Sequence, residues 1–353
     1  MPPRPVRCPD CGHRFPPTAE EVDHGRAHCP DCGADVDVRS RGRDGTDYDD
    51  GRPARSGRRW LVVGLGLFAL LVVGCCGGLG GLAWFAVKPT SFPEQTQDYA
   101  DARKTFRTKL VRTAPAPQSW EEETPPADAA EVEYTSGPLR LKAWVGPRGG
   151  PPKPAVLFLH GGFAFGADDW EQAKPFRDAG YVVMIPMLRG ENGLPGSYSM
   201  FYDEVDDALA AAEVLAATPG VDPKRLYVAG HSAGGTIAML TAMTSSRFKA
   251  AASFSGSPDQ VAWARFQEDL VPFNRNDQTE FAMRSPLAFP KSFKCPARLY
   301  YGDEEWQFRF STEELAEKAA AAGRDVQAVE VPGDHMSSVD PAMRQCIAFF
   351  NQK

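Results

Sequence analysis

The sequence predicts an α/β domain built on a mostly parallel sheet, preceded by a small cysteine-rich module and one long apolar stretch. Three observations lead there. From about residue 129 onward, short apolar strand-like runs alternate with helix-like runs. At residues 226–240 a strand, the turn Gly230-His231-Ser232-Ala233-Gly234 and a helix follow one another without a break. The cysteines, finally, are unevenly spread: four lie in the first 38 residues, two in the apolar stretch and two in the long C-terminal part. That pattern is unlike the dense framework of a disulfide scaffold. A net charge of −7 gives no basis for nucleic acid as a partner.

Residues 1–38 write one knuckle twice, as Cys8-Pro9-Asp10-Cys11-Gly12 and Cys29-Pro30-Asp31-Cys32-Gly33. Two C-x-x-C pairs at this separation suit four thiolates around one tetrahedral zinc, and the segment resembles small zinc-ribbon modules. So short a segment has little core, so its folding free energy is expected to come from the metal. Structural zinc is therefore expected on Cys8, Cys11, Cys29 and Cys32. His13, His24 and His28 are expected at the surface.

Residues 39–59 are polar, rich in Arg, Asp and Gly, without an apolar period, and read as a disordered linker. Its acidic residues Asp44, Asp47, Asp49 and Asp50 speak against nucleic acid as the ribbon's partner and favour protein contact. Residues 60–87 contain no charge at all. A helix of that length spans about 42 Å against a hydrocarbon core of about 30 Å, so a single transmembrane helix is expected, with Trp60 and Trp84 at the interfaces. Arg52, Arg55, Arg58 and Arg59 precede the span and only Lys88 closely follows it. This bias places the N-terminus in the cytoplasm and the C-terminal domain outside a bacterial-type plasma membrane. Residues 88–128, with Ala114-Pro115-Ala116-Pro117 and Thr124-Pro125-Pro126, read as a stalk carrying a short helix over 94–111.

Residues 129–353 form the globular part. Strands are expected over 131–134 and 139–145, hinged at Ser136-Gly137-Pro138, and then over 155–159, 181–185, 226–229, 250–254, 297–301 and 326–331. Helices are expected over 170–179, over 203–217 and directly after the serine turn. Strands alternating with helices mean a parallel sheet covered on both faces, with the first hairpin as an edge.

The chemistry is concentrated at Ser232. Gly230 and Gly234 leave room for a sharp turn that exposes its hydroxyl at a helix N-terminus. A serine hydroxyl needs a base. The globular part has three histidines. His231 adjoins the nucleophile and should point away from it, and His160 lies upstream at a strand end. His335, in a loop after the strand 326–331, fits the nucleophile–acid–base chain order. The acid that orients its imidazole should follow the strand 297–301, where Gly302-Asp303-Glu304-Glu305 stands. The oxyanion donors expected are the N–H of Ala233 and that of Gly162, within His160-Gly161-Gly162-Phe163. None of this chemistry calls for a catalytic cofactor.

Residues 130–353 resemble the catalytic domain of the prolyl oligopeptidase family, within the α/β-hydrolases, with dienelactone hydrolase-like enzymes close behind. The matching stretches are His160-Gly161-Gly162, Gly180-Tyr181-Val182-Val183, Leu188-Arg189-Gly190, Val221-Asp222-Pro223-Lys224-Arg225 and Gly230-His231-Ser232-Ala233-Gly234-Gly235. The resemblance implies an α/β-hydrolase fold and an acid three residues after Gly302, which is Glu305. The family usually carries Asp there, so Asp303 stays open as the alternative. Full-length members carry a propeller that screens substrates. No repeats stand here, so that property does not transfer. The insertion 259–293, with Trp263, Phe266, Phe273, Phe281 and Phe289, is either a small lid or core packing.

The leading expectation is a membrane-anchored serine hydrolase that cleaves peptide or ester bonds through an acyl-enzyme on Ser232. The alternatives are a carboxylesterase or dienelactone hydrolase-like enzyme, and a non-catalytic membrane sensor pairing a zinc ribbon with a hydrolase-like binding domain. A complete set of serine, acid and histidine is what a sensor would not need.

Overall fold

The computed structural model describes residues 6–7, 14–18, 26–30, 34–37 and 95–353. The chain divides into two units, residues 1–72 and 73–353.

In the first unit, strand β1 (Val6–Arg7) pairs antiparallel with β2 (Arg14–Phe15), and β3 (Arg26–His28) with β4 (Asp35–Asp37). Each Cys-x-x-Cys knuckle falls in the stretch between the two strands of a pair. Phe15, Ala27, Cys29 and Val36 form a small apolar cluster, and the Cys29 N–H donates to the Ala34 carbonyl at 2.9 Å. His28 is exposed, against Asp35 at 2.7 Å. Cys8, Cys11 and Cys32 lie outside the described residues, and so does the zinc expectation that depends on them. Among the described residues no cluster of three metal-ligating side chains occurs. Residues 60–87 lie outside them as well. Among the described residues no helix is long and apolar enough to cross a membrane.

The second unit is organised around one sheet. Its strands are β5 (Ala130–Ser136), β6 (Leu139–Gly146), β7 (Lys153–Leu159), β8 (Val182–Pro186), β9 (Val221–His231), β10 (Ala250–Phe254), β11 (Ala297–Gly302) and β12 (Val326–Val331). Their spatial order is β12-β11-β10-β9-β7-β8-β6-β5. The run from β8 to β12 is parallel, and β6 and β5 add an antiparallel edge. The inner stretches of the central strands, Ala155–Leu159 of β7 and Leu226–Ala229 of β9, are apolar and buried at every position because both sides are covered. Ala155, Leu157 and Leu159 of β7 enter one core, while Val156 and Phe158 enter the other.

The helices are α1 (Tyr99–Thr105), α2 (Ala167–Gln172), α3 (Lys174–Asp178), α4 (Glu204–Ala217), α5 (Ala233–Thr244), α6 (Gln260–Ala264), α7 (Gln278–Ala282), α8 (Trp306–Ala321) and α9 (Val339–Phe350). Cys295 and Cys346 sit in opposite cores and are not bonded to each other. This is the α/β-hydrolase arrangement that the sequence led us to expect.

Two expectations change. The single helix over 170–179 is two short helices, because Pro175 has no N–H to donate into a continuous helix and sits instead in the first turn of α3. The stalk is a larger departure. Residues 95–128 lie along the second unit. The helix expected over 94–111 shrinks to α1, capped by Asp98, whose carboxylate accepts from the Ala100 N–H at 3.0 Å. Tyr99 is fully buried and donates its hydroxyl to the Met283 carbonyl at 2.8 Å. Arg103 donates to Asp206 at 2.7 Å and to the Tyr202 carbonyl at 2.8 Å. Leu110 bridges to Phe273, and the Ala116 N–H donates to the Gly190 carbonyl at 2.9 Å. Residues 95–128 are therefore packed parts of the folded unit, which extends upstream of residue 129.

Candidate active site

Strand β9 delivers Ser232 at the centre of the sheet, and α5 starts at the next residue. Ser232 has φ 53° and ψ −116°, a strained conformation for a residue with a side chain. The flanking glycines are required by space. A Cβ on Gly230 would lie 2.3 Å from the Gly234 carbonyl oxygen, and one on Gly234 would lie 2.0 Å from that of Leu159. The Ser232 N–H is held by the Phe254 carbonyl at 2.8 Å.

Three side chains from three separate loops meet there. The Ser232 Oγ is 2.9 Å from His335 Nε2, and His335 Nδ1 is 2.6 Å from Glu305 Oε1. With a carboxylate at Nδ1, that nitrogen carries the proton and donates to Glu305, which leaves Nε2 free to accept from the serine hydroxyl. Glu305 is buried. Its other oxygen accepts from the Gly302 N–H at 2.7 Å and from the Ser255 hydroxyl. Burial pushes the Glu305 carboxyl up, but the hydrogen bonds from His335, Ser255 and Gly302 outweigh it and hold the carboxyl below its usual range.

The two neighbouring carboxylates do other things. Asp303 accepts from the Gly333 N–H at 2.8 Å, tying the two loops together away from the imidazole. Glu304 is exposed.

The histidine loop is itself braced. Asp334 accepts from the N–H groups of Met336 and Ser337, at 3.0 and 2.8 Å. These bonds and the one from the Ser337 hydroxyl hold its carboxyl down at about 2. His231 turns away from Ser232, as its place before the nucleophile led us to expect, and its Nε2 donates to the His335 carbonyl at 2.9 Å. Burial and the facing His335 push the His231 imidazole down to about 4, so it stays neutral. Phe308 stacks on the His335 ring at 5.5 Å.

Gly162 (φ 68°) and Ala233 line, with Ser232, a cavity of about 180 Å³. This places both expected oxyanion residues at the nucleophile. The loop bearing Gly162 is held from behind by His160. Its Nδ1 donates to the Gly161 carbonyl at 2.9 Å and its Nε2 to Glu191 at 3.0 Å. Burial disfavours its charge, but the Glu191 carboxylate outweighs it and raises the imidazole to about 10.

Three residues at the site had no motif to announce them. Ser255 donates to the acid, Glu191 holds His160, and Gln118 of the supposed stalk accepts from the Phe163 N–H at 2.8 Å. Each is remote in sequence from the group it touches. Of the aromatics in the insertion 259–293, Phe273, Phe281 and Phe289 are core residues. Trp263 lines the cavity and Phe266 is exposed.

A model of the prolyl oligopeptidase family matches residues 168–308, which include Ser232 and Glu305 and stop short of His335. The chain is 26% identical over 183 residues to a Bacillus subtilis protein described as the uncharacterized peptidase YtmA, covering 49% of this chain and 71% of that one. Among solved structures it is similar to a puromycin-hydrolyzing peptidase of Mycobacterium tuberculosis, with 25% identity and a TM-score of 0.55 over 64% of this chain; that match takes in 40% of the peptidase. An esterase of Pyrococcus furiosus shares the fold, with 18% identity and a TM-score of 0.54, over 68% of this chain and 97% of the esterase. The family match and these relatives support one enzyme class: the C-terminal unit is a serine hydrolase.

Proposed function

We propose that this serine hydrolase is of prolyl oligopeptidase-like type and cleaves peptide or ester bonds through an acyl-enzyme on Ser232. The observation that carries the reading is the unbroken line from Ser232 Oγ through His335 to Glu305, at 2.9 and 2.6 Å. In this mechanism Ser232 attacks the scissile carbonyl carbon as its proton passes to His335 Nε2. Glu305 stabilises the resulting imidazolium. The N–H groups of Gly162 and Ala233 receive the oxyanion; one such donor contributes about 3–4 kcal/mol in related sites. His335 then protonates the departing amine or alcohol. Water repeats the sequence on the acyl-enzyme and frees Ser232. A fluorophosphonate probe should label the wild-type chain and leave Ser232→Ala unlabelled. Equal labelling of both would remove the nucleophile and the reading with it.

The esterase alternative, in which the enzyme is a carboxylesterase of dienelactone hydrolase type, draws on one observation: the match to the P. furiosus esterase takes in nearly the whole of that smaller chain. A panel of esters and of amides bearing the same acyl group separates the two by their kcat/KM ratio.

Around the catalytic unit we propose a membrane anchor over residues 60–87, with the N-terminus cytoplasmic, and one zinc on Cys8, Cys11, Cys29 and Cys32. The uncharged stretch, the arginines before it and the repeated knuckle support this arrangement. Protease added to spheroplasts should remove the hydrolase unit and spare the cysteine module. Metal analysis of the full chain purified without chelator should find about one zinc per chain, as four thiolates hold one ion, and Cys8→Ser should abolish it.

A further inference from the structure

A second cavity, of about 440 Å³, is walled by Trp263, Phe266, Trp306 and Phe308, with Ser257 and Gln267 beside them. Four of these residues, Ser257, Trp263, Gln267 and Phe308, also wall the cavity that holds Ser232. The two spaces are therefore one cleft, narrow at the nucleophile and wider between α6 and the start of α8. Phe308 marks the junction, since it stacks on the His335 ring.

The lining of the outer part is chemically one-sided. It has four aromatic side chains and no acidic, basic or imidazole group. Two of the aromatics are unusually open to water, Phe266 at 67% and Trp306 at 56% of their full exposure. Large apolar side chains flanking a cleft at the reacting centre recover their hydration cost only when something apolar covers them. A charged amino terminus, carboxylate or phosphate would lose its water there and gain no counter-charge.

We propose that this outer cleft binds an uncharged apolar chain of the substrate, extending from the scissile bond between Phe266 and Trp306, so that the enzyme acts on hydrophobic acyl compounds. The proposal rests on Ser232 being the nucleophile. It concerns the chain attached to the reacting bond and is indifferent to whether that bond is an ester or an amide.

The test uses alkyl fluorophosphonates whose alkyl group grows from ethyl to octyl. In each case the Ser232 oxygen forms a bond to phosphorus and the phosphorus–fluorine bond breaks. Fluoride departs, and the hydroxyl proton passes to His335 and on to water. The second-order labelling rate of the full chain should climb by about threefold per added methylene until the cleft is filled, the increment expected for burying one methylene. In Phe266→Ala and Trp306→Ala the octyl-to-ethyl ratio should fall by about tenfold, the loss expected when a large aromatic contact surface is removed. Val111→Ser, which removes an apolar side chain that is 73% exposed elsewhere, should keep the wild-type ratio. A rate independent of chain length, or a ratio preserved in both aromatic variants, would overturn the proposal while leaving Ser232 as the nucleophile. Failure of every probe to label the wild type would instead overturn the hydrolase reading, and this proposal with it.

Discussion

The domain holds two histidine–glutamate pairs, one at Ser232 and one behind the loop that carries Gly162, and they are built for opposite ends. His335 and Glu305 are 2.6 Å apart, and the imidazole is 35% exposed. His160 and Glu191 are 3.0 Å apart, and that imidazole is 1% exposed. In both, the carboxylate accepts from a ring nitrogen and from a backbone N–H: Gly302 for Glu305 and Leu188 for Glu191. What separates them is the partner of the second nitrogen. For His335 it is the Ser232 hydroxyl, which can give up a proton. For His160 it is the Gly161 carbonyl, which can only accept. One ring is thus free to cycle between neutral and charged, while the other is held charged and fastens the loop that carries Gly162. A histidine beside a carboxylate is not a base until its far nitrogen faces an exchangeable proton.

The sharpest way to break this comparison is to remove each carboxylate's charge. Glu305→Gln should lower kcat by about 10⁴, as losing the acid does in comparable triads, with the fold intact. Asp303→Asn keeps an oxygen to accept from the Gly333 N–H and loses only the charge on that bond, so it should stay within about threefold. Steady-state kinetics with a circular-dichroism control reads both. If Asp303→Asn proved the crippling change, the acid would be misassigned. Glu191→Gln should show the reverse signature. It removes the charge that holds the buried His160 imidazole protonated, so the ion pair is lost and the variant should cost about 3–5 kcal/mol of stability in urea melts, as broken buried pairs do.

Proton linkage separates the pairs again. The His160 imidazole is raised to about 10, against an ordinary value of 6.5. The folded state therefore holds a proton that the unfolded state has released between those values. The stabilisation is complete below pH 6.5 and is lost as pH rises toward 10. Glu305 is shifted downward, so its contribution is present above its ordinary value of 4.5 and is lost as pH falls through its depressed one. Thermal melts from pH 6 to 10 should decline in the wild type and flatten in Glu191→Gln. An equal slope in both would refute the assignment of that linkage to His160.

How much of this was written in the sequence depends on distance along the chain. Ser232, Ala233, Gly162 and His335 were legible because each sits in a local pattern of strand, glycine and turn whose geometry is short-range. Glu305 was left in competition with Asp303, since adjacent carboxylates carry the same chemistry and only the loop decides which one faces the imidazole. Ser255, Glu191 and Gln118 were invisible, because each acts on a partner at least 31 residues away and stands in no motif. The segment 95–128 misled for a different reason. Its prolines signal extended chain correctly, but extended chain can be packed as readily as free. Tyr99, Ala102 and Arg103 share the buried face of α1, with Phe106 packed beside them.

Ser255 gives the smallest and most discriminating test of the comparison. Both glutamates have a backbone donor, but only Glu305 also has a hydroxyl donor. Ser255 adopts φ 52°, a conformation rarely accepted by a residue with a side chain, and that backbone aims its hydroxyl at the carboxylate beneath the catalytic ring. Removing it in Ser255→Ala leaves the imidazole, Ser232 and the oxyanion donors in place. The carboxylate loses one charge-assisted hydrogen bond, an interaction of about 1.5–3 kcal/mol that favours the ionised form. Two consequences follow. The Glu305 carboxyl should move up toward the ordinary range, so the acid limb of the kcat/KM profile should shift to higher pH. At neutral pH, where the carboxylate is still ionised, kcat should fall by no more than about tenfold, because the pair is loosened rather than broken. A pH–rate profile of the variant separates the two. A neutral-pH loss as deep as that of Glu305→Gln would mean that Ser255 holds the loop itself. An unmoved acid limb would mean that the hydroxyl contributes nothing to the charge that orients His335.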